Sequence, residues 1–137
     1  MKEYASENIR TIALSGHMSA GKTSFTEALL FRCKHTDRLL RVDDGNSISD
    51  YDAEEQNRKI SINASLLPLE LKTIKINLLD LPGNRDFIGE IRNCIRVAEA
   101  VGLTLDAGAG MEVGAEIALE CAEEFGVPVF AIVNKVD

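Results

Sequence analysis

The chain has no Trp, and only two Tyr and five Phe among 137 residues. Flat rings on which unpaired bases could stack are therefore scarce, which argues against a single-stranded nucleic-acid platform. The three cysteines, Cys33, Cys94 and Cys121, are odd in number, widely spaced and form no CxxC pair. A zinc or redox motif is not expected; small hydrophobes in a reducing compartment are. No apolar run approaches the roughly 18 residues of a membrane span. The first ten residues mix acids and bases around no apolar centre, so no signal peptide is expected, and the expected location is cytoplasmic. Positive charge is in deficit, with 15 Lys and Arg against 22 Asp and Glu and a net charge of -7. Such a surface repels phosphate backbones at long range, so any nucleic-acid contact needs a local patch or further parts.

What is present is ordinary globular material, 45% hydrophobic and 27% charged. The length suits one domain over residues 1–137, large enough for a core without disulfides or metal. No repeat, low-complexity segment or linker interrupts it. Ile9, Thr11 and Ile12 mark a strand over residues 9–15. Phe25, Leu29 and Cys33 share one face of a helix over residues 21–33. Residues 34–59 are polar and mixed and read as a long loop, of the functional or mobile kind. Residues 61–71 carry Pro68 and read as an edge strand. Residues 73–81 form a deeper strand antiparallel to it. A helix over 86–98, with Phe87, Ile91, Ile95 and Ala98 on one face, precedes a short strand over 101–105. A helix over 111–125, with Met111 at its start in the core and Val113, Ile117, Cys121 and Phe125 on one face, precedes the last strand. That strand is nearly continuous apolar from Val127 through Val133, as a strand covered on both faces is. Strands separated by helices imply a parallel sheet with right-handed crossovers.

Three motifs stand at the ends of predicted strands. Gly16, His17, Met18, Ser19, Ala20, Gly21, Lys22 and Thr23 fit GxxxxGK[ST] between a strand and a helix. Glycines let backbone N–H groups turn inward around phosphates, and the helix start adds its positive end. Lys22 reaches the β- and γ-phosphates, and the Thr23 hydroxyl ligates magnesium. Asp80-Leu81-Pro82-Gly83 follows the third strand. Alone it is a common turn. Beside a phosphate loop, Asp80 can hold magnesium through water, and the Gly83 N–H can meet a γ-phosphate. Asn134-Lys135-Val136-Asp137 follows the last strand. There the Asp137 carboxylate can pair with two N–H groups of a guanine edge, Asn134 ties the loop together, and the Lys135 stem lies along the ring. Ser61 has two readings: a hydroxyl presented to magnesium and γ-phosphate, or a chance Ser entering a strand. His35 reads as a solvated loop residue, and Glu116, Glu120, Glu123 and Glu124 as a solvated helix face.

The runs GHMSAGKT, EEQNRKISI, INLLDLPGNRDF and VPVFAIVNKVD resemble the GTP-binding domain of translation elongation factor G. RVDDGNSISDYDAEE and SINASLLPLE are similar to the elongation factor G-like paralogs. The resemblance implies an α/β fold, a three-layer P-loop NTPase (G domain) with a mostly parallel sheet and one antiparallel edge strand, truncated after the NKxD strand. It implies GTP or GDP as ligand, magnesium as cofactor and the ribosome as partner of the complete protein. On that pattern Ser24 touches the α-phosphate. Magnesium is held by Thr23, by Ser61 in the GTP state, and by Asp80 behind a water. Guanine is read by Asn134, Lys135 and Asp137.

Departures from the pattern carry expectations of their own. Ser61 replaces a usual Thr, Lys59 a usual Gly and Ser19 a usual Asp. Asn84 stands where the family has the His that orients the attacking water. The chain is therefore expected to be an incomplete guanine-nucleotide-binding domain that hydrolyses GTP slowly if at all. The alternative is a degenerate P-loop binding module without hydrolysis, acting through protein contacts. The last strand is expected to be an uncovered edge through which the chain self-associates.

Overall fold

β-Branched and apolar residues around Thr11 and Ile12 open the first strand, β1 (Ile9–Gly16), at the centre of the molecule. The computed structural model describes residues 3–58 and 60–137, so the Lys59 departure lies outside the described residues. After β1 come α1 (Lys22–Arg32), α2 (Ala53–Arg58), β2 (Ser65–Leu71) and β3 (Ile74–Asp80). Then follow α3 (Ile88–Val97), β4 (Ala100–Asp106), α4 (Val113–Phe125) and β5 (Val129–Asn134). The five strands lie in the order β2-β3-β1-β4-β5. β1 pairs in parallel with β3 and β4, and β4 with β5, while β2 runs antiparallel to β3. The expected mixed sheet with one antiparallel edge strand is the one observed, and Pro68 sits on that edge.

Each face of the sheet has its own core. Ala13, Val101 and Leu103 meet Leu81, Ile91 and Ile95 and the small residues Ala115, Ala118 and Ala122 on the side of α3 and α4. Leu14, Leu67, Leu69 and Leu78 meet Leu30 of α1 on the other. Alanines along α4 let that helix lie close to the sheet, and this moves its buried face from the expected one. Gly114, Ala115, Ala118, Cys121 and Ala122 are buried, Ile117 and Phe125 are half-buried, and Val113 is exposed. In α1 the buried residues are Lys22, Thr26, Glu27 and Leu30, with Phe25, Leu29 and Cys33 only half-buried. Met111 is exposed and precedes α4 rather than starting it in the core. The three cysteines are free thiols, with Cys121 buried and the other two half-buried.

Residues 34–59 are not one loop. A short 3-10 turn spans Val42–Asp44, and α2 spans Ala53–Arg58. α2 is started by a reciprocal cap. The Glu54 N–H donates to Asp52 Oδ1 at 2.8 Å, and the Asp52 N–H donates to Glu55 Oε2 at 3.0 Å. Arg58 pairs with Glu54 one turn away at 2.5 Å. β2 begins at Ser65 instead of residue 61, leaving residues 61–64 as a connection that passes the carboxyl ends of β1 and β3. β5 is an edge strand with Val129, Phe130 and Val133 exposed, so its continuous apolar run does not mean cover on both faces.

The parallel register places the carboxyl ends of four strands together. Leu14 lies opposite Asp80, Gly16 opposite Thr104, and Asp106 opposite Asn134. In open parallel sheets ligands sit outside this end, where crossovers leave the sheet in opposite directions.

Candidate functional site

A cleft of about 370 Å³ opens at these carboxyl ends, lined by parts of residues 18–24, by Asp50, Ile60, Ser61, Gly83 and Asn84, and by Lys135. Residues 16–21 wrap its floor. Gly21 has φ of 91°, a left-handed conformation in which a side chain is strained. A Cβ there would also run into Asn134 Nδ2. That amide donates to the Ala20 carbonyl at 3.0 Å, so Asn134 ties the β5 end to the 16–23 loop. Gly83 is as constrained: a Cβ on it would come within 2.5 Å of Lys22 Nζ and 2.6 Å of the Met18 nitrogen. The third and first motifs, and the second and first, thus meet through glycines.

Lys22 is buried at the start of α1, and its ammonium donates to the His17 carbonyl at 2.8 Å. Burial lowers its pKa, against the upward pull of Asp80 and Asp50. Asp80 is only 1% exposed. Burial pushes its carboxyl up to about 6, although a hydrogen bond from Ser49 Oγ at 2.5 Å and the Lys22 charge oppose this. Its other oxygen, Oδ1, is buried without a hydrogen-bond partner. Asp50 is also pushed up by burial, against the pull of a 2.6 Å hydrogen bond from Ser61 Oγ. Ser61 Oγ in turn lies 3.2 Å from Thr23 Oγ1. Two carboxylates and two hydroxyls therefore converge beside one buried ammonium.

This donor set fits a magnesium ion. Among the described residues no group of three or more His, Cys, Asp or Glu could hold a metal unaided. Magnesium asks for less: one or two carboxylates, a hydroxyl, waters and the oxygens of a bound phosphate. Asp80 Oδ1 supplies an open, desolvated acceptor for such a shell.

Sequence reasoning missed the groups that hold residues 47–63 against this cleft. Glu27 of α1 is fully buried, and its Oε1 accepts from Ser47 Oγ at 2.6 Å and from the N–H groups of Ile48 at 2.7 Å and Ser49 at 3.2 Å. Glu55 of α2 is also fully buried, and its Oε1 accepts from the N–H groups of Ile62 and Asn63, both at 2.9 Å. Ser65 Oγ donates to the Ser49 carbonyl. These contacts deliver Ser49 to Asp80 and Ser61 to Thr23. The Asp52-x-x-Glu55 cap was the one sequence signal for this part of the site.

The remaining expected residues are placed as follows. Ser24 is exposed on the first turn of α1, and Ser19 is exposed with φ of 64°. The His17 side chain is engaged outside the cleft: its Nδ1 accepts from the Gly114 N–H at 3.1 Å, and Nε2 lies 3.5 Å from Glu112 Oε1. Asn84 caps the following 3-10 turn, Arg85–Phe87, its Oδ1 accepting from the Asp86 N–H at 3.1 Å. Lys135 Nζ is 2.8 Å from Asp106 Oδ2, and this hydrogen bond, together with one from the Gly108 N–H, holds the Asp106 carboxyl below its usual range. Asp137 is exposed.

The family described as the elongation factor Tu GTP-binding domain matches residues 7–137. A mitochondrial ribosome-releasing factor 2 of Rattus norvegicus is 36% identical over 129 residues, covering 94% of this chain and 17% of that protein. The corresponding protein of Debaryomyces hansenii is 37% identical over 131 residues, covering 96% of this chain and 15% of that one. A crystal structure of a Thermus thermophilus protein superposes with a TM-score of 0.92 at 40% identity, over 94% of this chain and 20% of that one. The chain thus spans about a sixth of the length of the curated relatives it matches. Among the described residues no helix is long and apolar enough to cross a membrane. The relatives lend no support to self-association through β5.

Proposed function

The chain belongs to the elongation factor Tu GTP-binding domain family, and from that premise we propose that it is the guanine-nucleotide-binding domain of an elongation factor G-like translation GTPase. In this reading the 137 residues work as one unit that binds GTP or GDP with magnesium and hydrolyses GTP slowly if at all. The observation that carries it is the buried Lys22 ammonium, held 2.8 Å from the His17 carbonyl inside a glycine-turned loop. A desolvated cation in such a loop is suited to exchange that carbonyl for phosphate oxygens.

The roles follow from placement. Backbone N–H groups of residues 16–23 surround the phosphates, with Ser24 at the α-phosphate. Thr23 and Ser61 offer hydroxyls to magnesium, and Asp80 holds one of its waters. A magnesium ion held there by Thr23, Ser61 and the water on Asp80 would supply positive charge against the charge of the phosphates. The Gly83 N–H meets the γ-phosphate. Asn134 fixes the base-reading loop, the Lys135 stem flanks the ring, and Asp137 takes the guanine edge. Asn84 positions water without adding charge, because an amide does not ionise near neutral pH.

The ribosome is the proposed partner of the complete protein, as the relatives' names say of them. A cytoplasmic setting remains part of the reading, on the free thiols, while the relatives reported above are named as mitochondrial. The degenerate-module alternative is not favoured, since Lys22, Thr23 and Asp80 are all in place. Calorimetry with GDP and ADP in magnesium tests the proposal. We expect GDP binding, much weaker ADP binding, and loss of both with Lys22→Ala. Equal binding of the two nucleotides, or indifference to Lys22→Ala, refutes it.

A further inference from the structure

Phosphoryl transfer spreads negative charge over the γ-phosphoryl oxygens, and the fastest GTPases answer with an arginine. The main cleft has little cationic charge to spare. Lys22 faces two carboxylates, and Lys135 is paired with Asp106 at 2.8 Å. Arg58 is held by Glu54 at 2.5 Å. Asn84 contributes no charge, and its carbonyl oxygen is occupied at the cap of residues 85–87.

A second cleft of about 330 Å³ adjoins the first, lined by His17, Met18, Gly83, Asn84, Arg85 and Gly114, among others. Met18, Gly83 and Asn84 line both clefts and form the wall between them. Arg85 stands on the far side of that wall, one residue beyond the water-positioning place. It is exposed, and among the described residues it has no hydrogen-bond or ion-pair partner. Met18, in that wall, is 41% exposed and unbranched at Cβ, so its side chain can change rotamer.

We propose that Arg85 is a catalytic residue that crosses this wall and places its guanidinium on the γ-phosphoryl group, supplying from within the chain the positive charge that Asn84 lacks. This rests on the GTPase reading above. In the step, the water oxygen bonds to the γ-phosphorus while the bond from that phosphorus to the β–γ bridging oxygen breaks. The water proton ends on the released phosphate, and the electron pair stays with GDP. Arg85 changes no bond of its own. Its planar fork spans two oxygens of the transferring group, which a lysine does not do.

The test compares the chain with Arg85→Ala and Arg85→Lys in three measurements: GDP affinity, binding of GDP with aluminium fluoride, and single-turnover GTP hydrolysis. The fluoride complex imitates the transferring phosphoryl group. We expect GDP affinity within about twofold for all three proteins. Arg85→Ala should weaken the fluoride complex and slow hydrolysis by at least about tenfold, and by more if the arginine acts with its full effect. Arg85→Lys should recover only part of either loss. If the unmodified chain binds no GDP, both this proposal and the GTPase reading fall. If it binds GDP while Arg85→Ala leaves the fluoride complex and the hydrolysis rate unchanged, this proposal alone is overturned.

Discussion

Replacing Asp80 by Asn should stabilise the free protein while impairing its cleft. Burial holds the Asp80 carboxyl at about 6 against an ordinary value of 3.8. The folded chain therefore keeps this proton more tightly than the unfolded chain does. Below pH 3.8 the group is neutral in both states and adds no penalty. As pH rises from there through about 6, the unfolded chain ionises first and stability falls; above about 6 the whole penalty stands. The gap between the two values corresponds to about 3 kcal/mol. Asn has the same shape and does not ionise, and it can still accept the Ser49 hydrogen bond. Asp80→Asn should therefore be more stable than the parent at alkaline pH by up to about 3 kcal/mol. The advantage should shrink towards zero as the medium approaches the ordinary carboxyl range. Urea unfolding of both proteins across this range, without nucleotide or magnesium, gives the difference curve, in which the titrations of groups not coupled to Asp80 cancel and only those of Lys22 and Asp50 beside it remain. A variant no more stable than the parent at alkaline pH, or an advantage independent of pH, refutes the reasoning. Magnesium with GDP should then stabilise the parent more than the variant, because the ionised carboxylate is what the ion's hydration shell would meet.

Two further substitutions probe the supports of the cleft. Glu27→Ala leaves the Ser47 hydroxyl and the Ile48 and Ser49 N–H groups without their acceptor. It should lower stability by about 2–4 kcal/mol and speed hydrogen exchange at residues 48 and 49, whereas Glu27→Gln, which retains an acceptor oxygen, should do less. Unchanged exchange in Glu27→Ala would show that another group holds the segment. Gly21→Ala combines a left-handed backbone with a clash against Asn134 Nδ2, so it should cost more than about 1 kcal/mol and loosen the Asn134 loop. The expected consequence is poorer discrimination of GDP from ADP in calorimetry, and undiminished discrimination counts against the coupling.

What the sequence made legible was local. Gly16 through Thr23, Asp80 through Gly83, and Asn134 through Asp137 are contiguous runs, and each lies at the end of a strand whose apolar residues announce it. Their order and spacing were enough to bring them to one end of one sheet. What remained hidden depends on contacts between distant residues. Ser47, Ser49 and Asp50 look like solvated loop residues because their neighbours in sequence are polar. Ser47 and Ser49 are buried because Glu27, some twenty residues earlier, takes their hydrogen bonds, and Asp50 is buried beside them, its N–H donating to Ser47 Oγ at 3.4 Å and its Oδ1 accepting from Ser61 Oγ at 2.6 Å. Glu27 was itself obscured on α1, where Phe25, Leu29 and Cys33 mark a face that is only half-buried. The same bias towards large apolar residues displaced the buried face of α4, whose packing runs through alanines. Apolar content also misjudged β5, where Val129, Phe130 and Val133 lie on an open edge.

The approach of Gly83 to Gly114 has a mechanical consequence. A Cβ on Gly114 would lie 2.7 Å from the Gly83 carbonyl oxygen and 2.7 Å from the His17 Cα. Three stretches of main chain therefore bear on one another, with the His17 imidazole beside them, its Nδ1 3.1 Å from the Gly114 nitrogen. Side chains at such a junction act as cushions, since they change rotamer and absorb displacement. Bare backbone transmits it. If Gly83 shifts as its N–H gains or loses a γ-phosphate oxygen, its carbonyl pushes directly on the first turn of α4. The first turn of α4 is thus the part of that helix placed to feel a shift of Gly83, with Glu116 beside it. A methyl group at position 114 would force the Gly83 and His17 main chains away from α4 and so uncouple the helix from the phosphate end of the sheet.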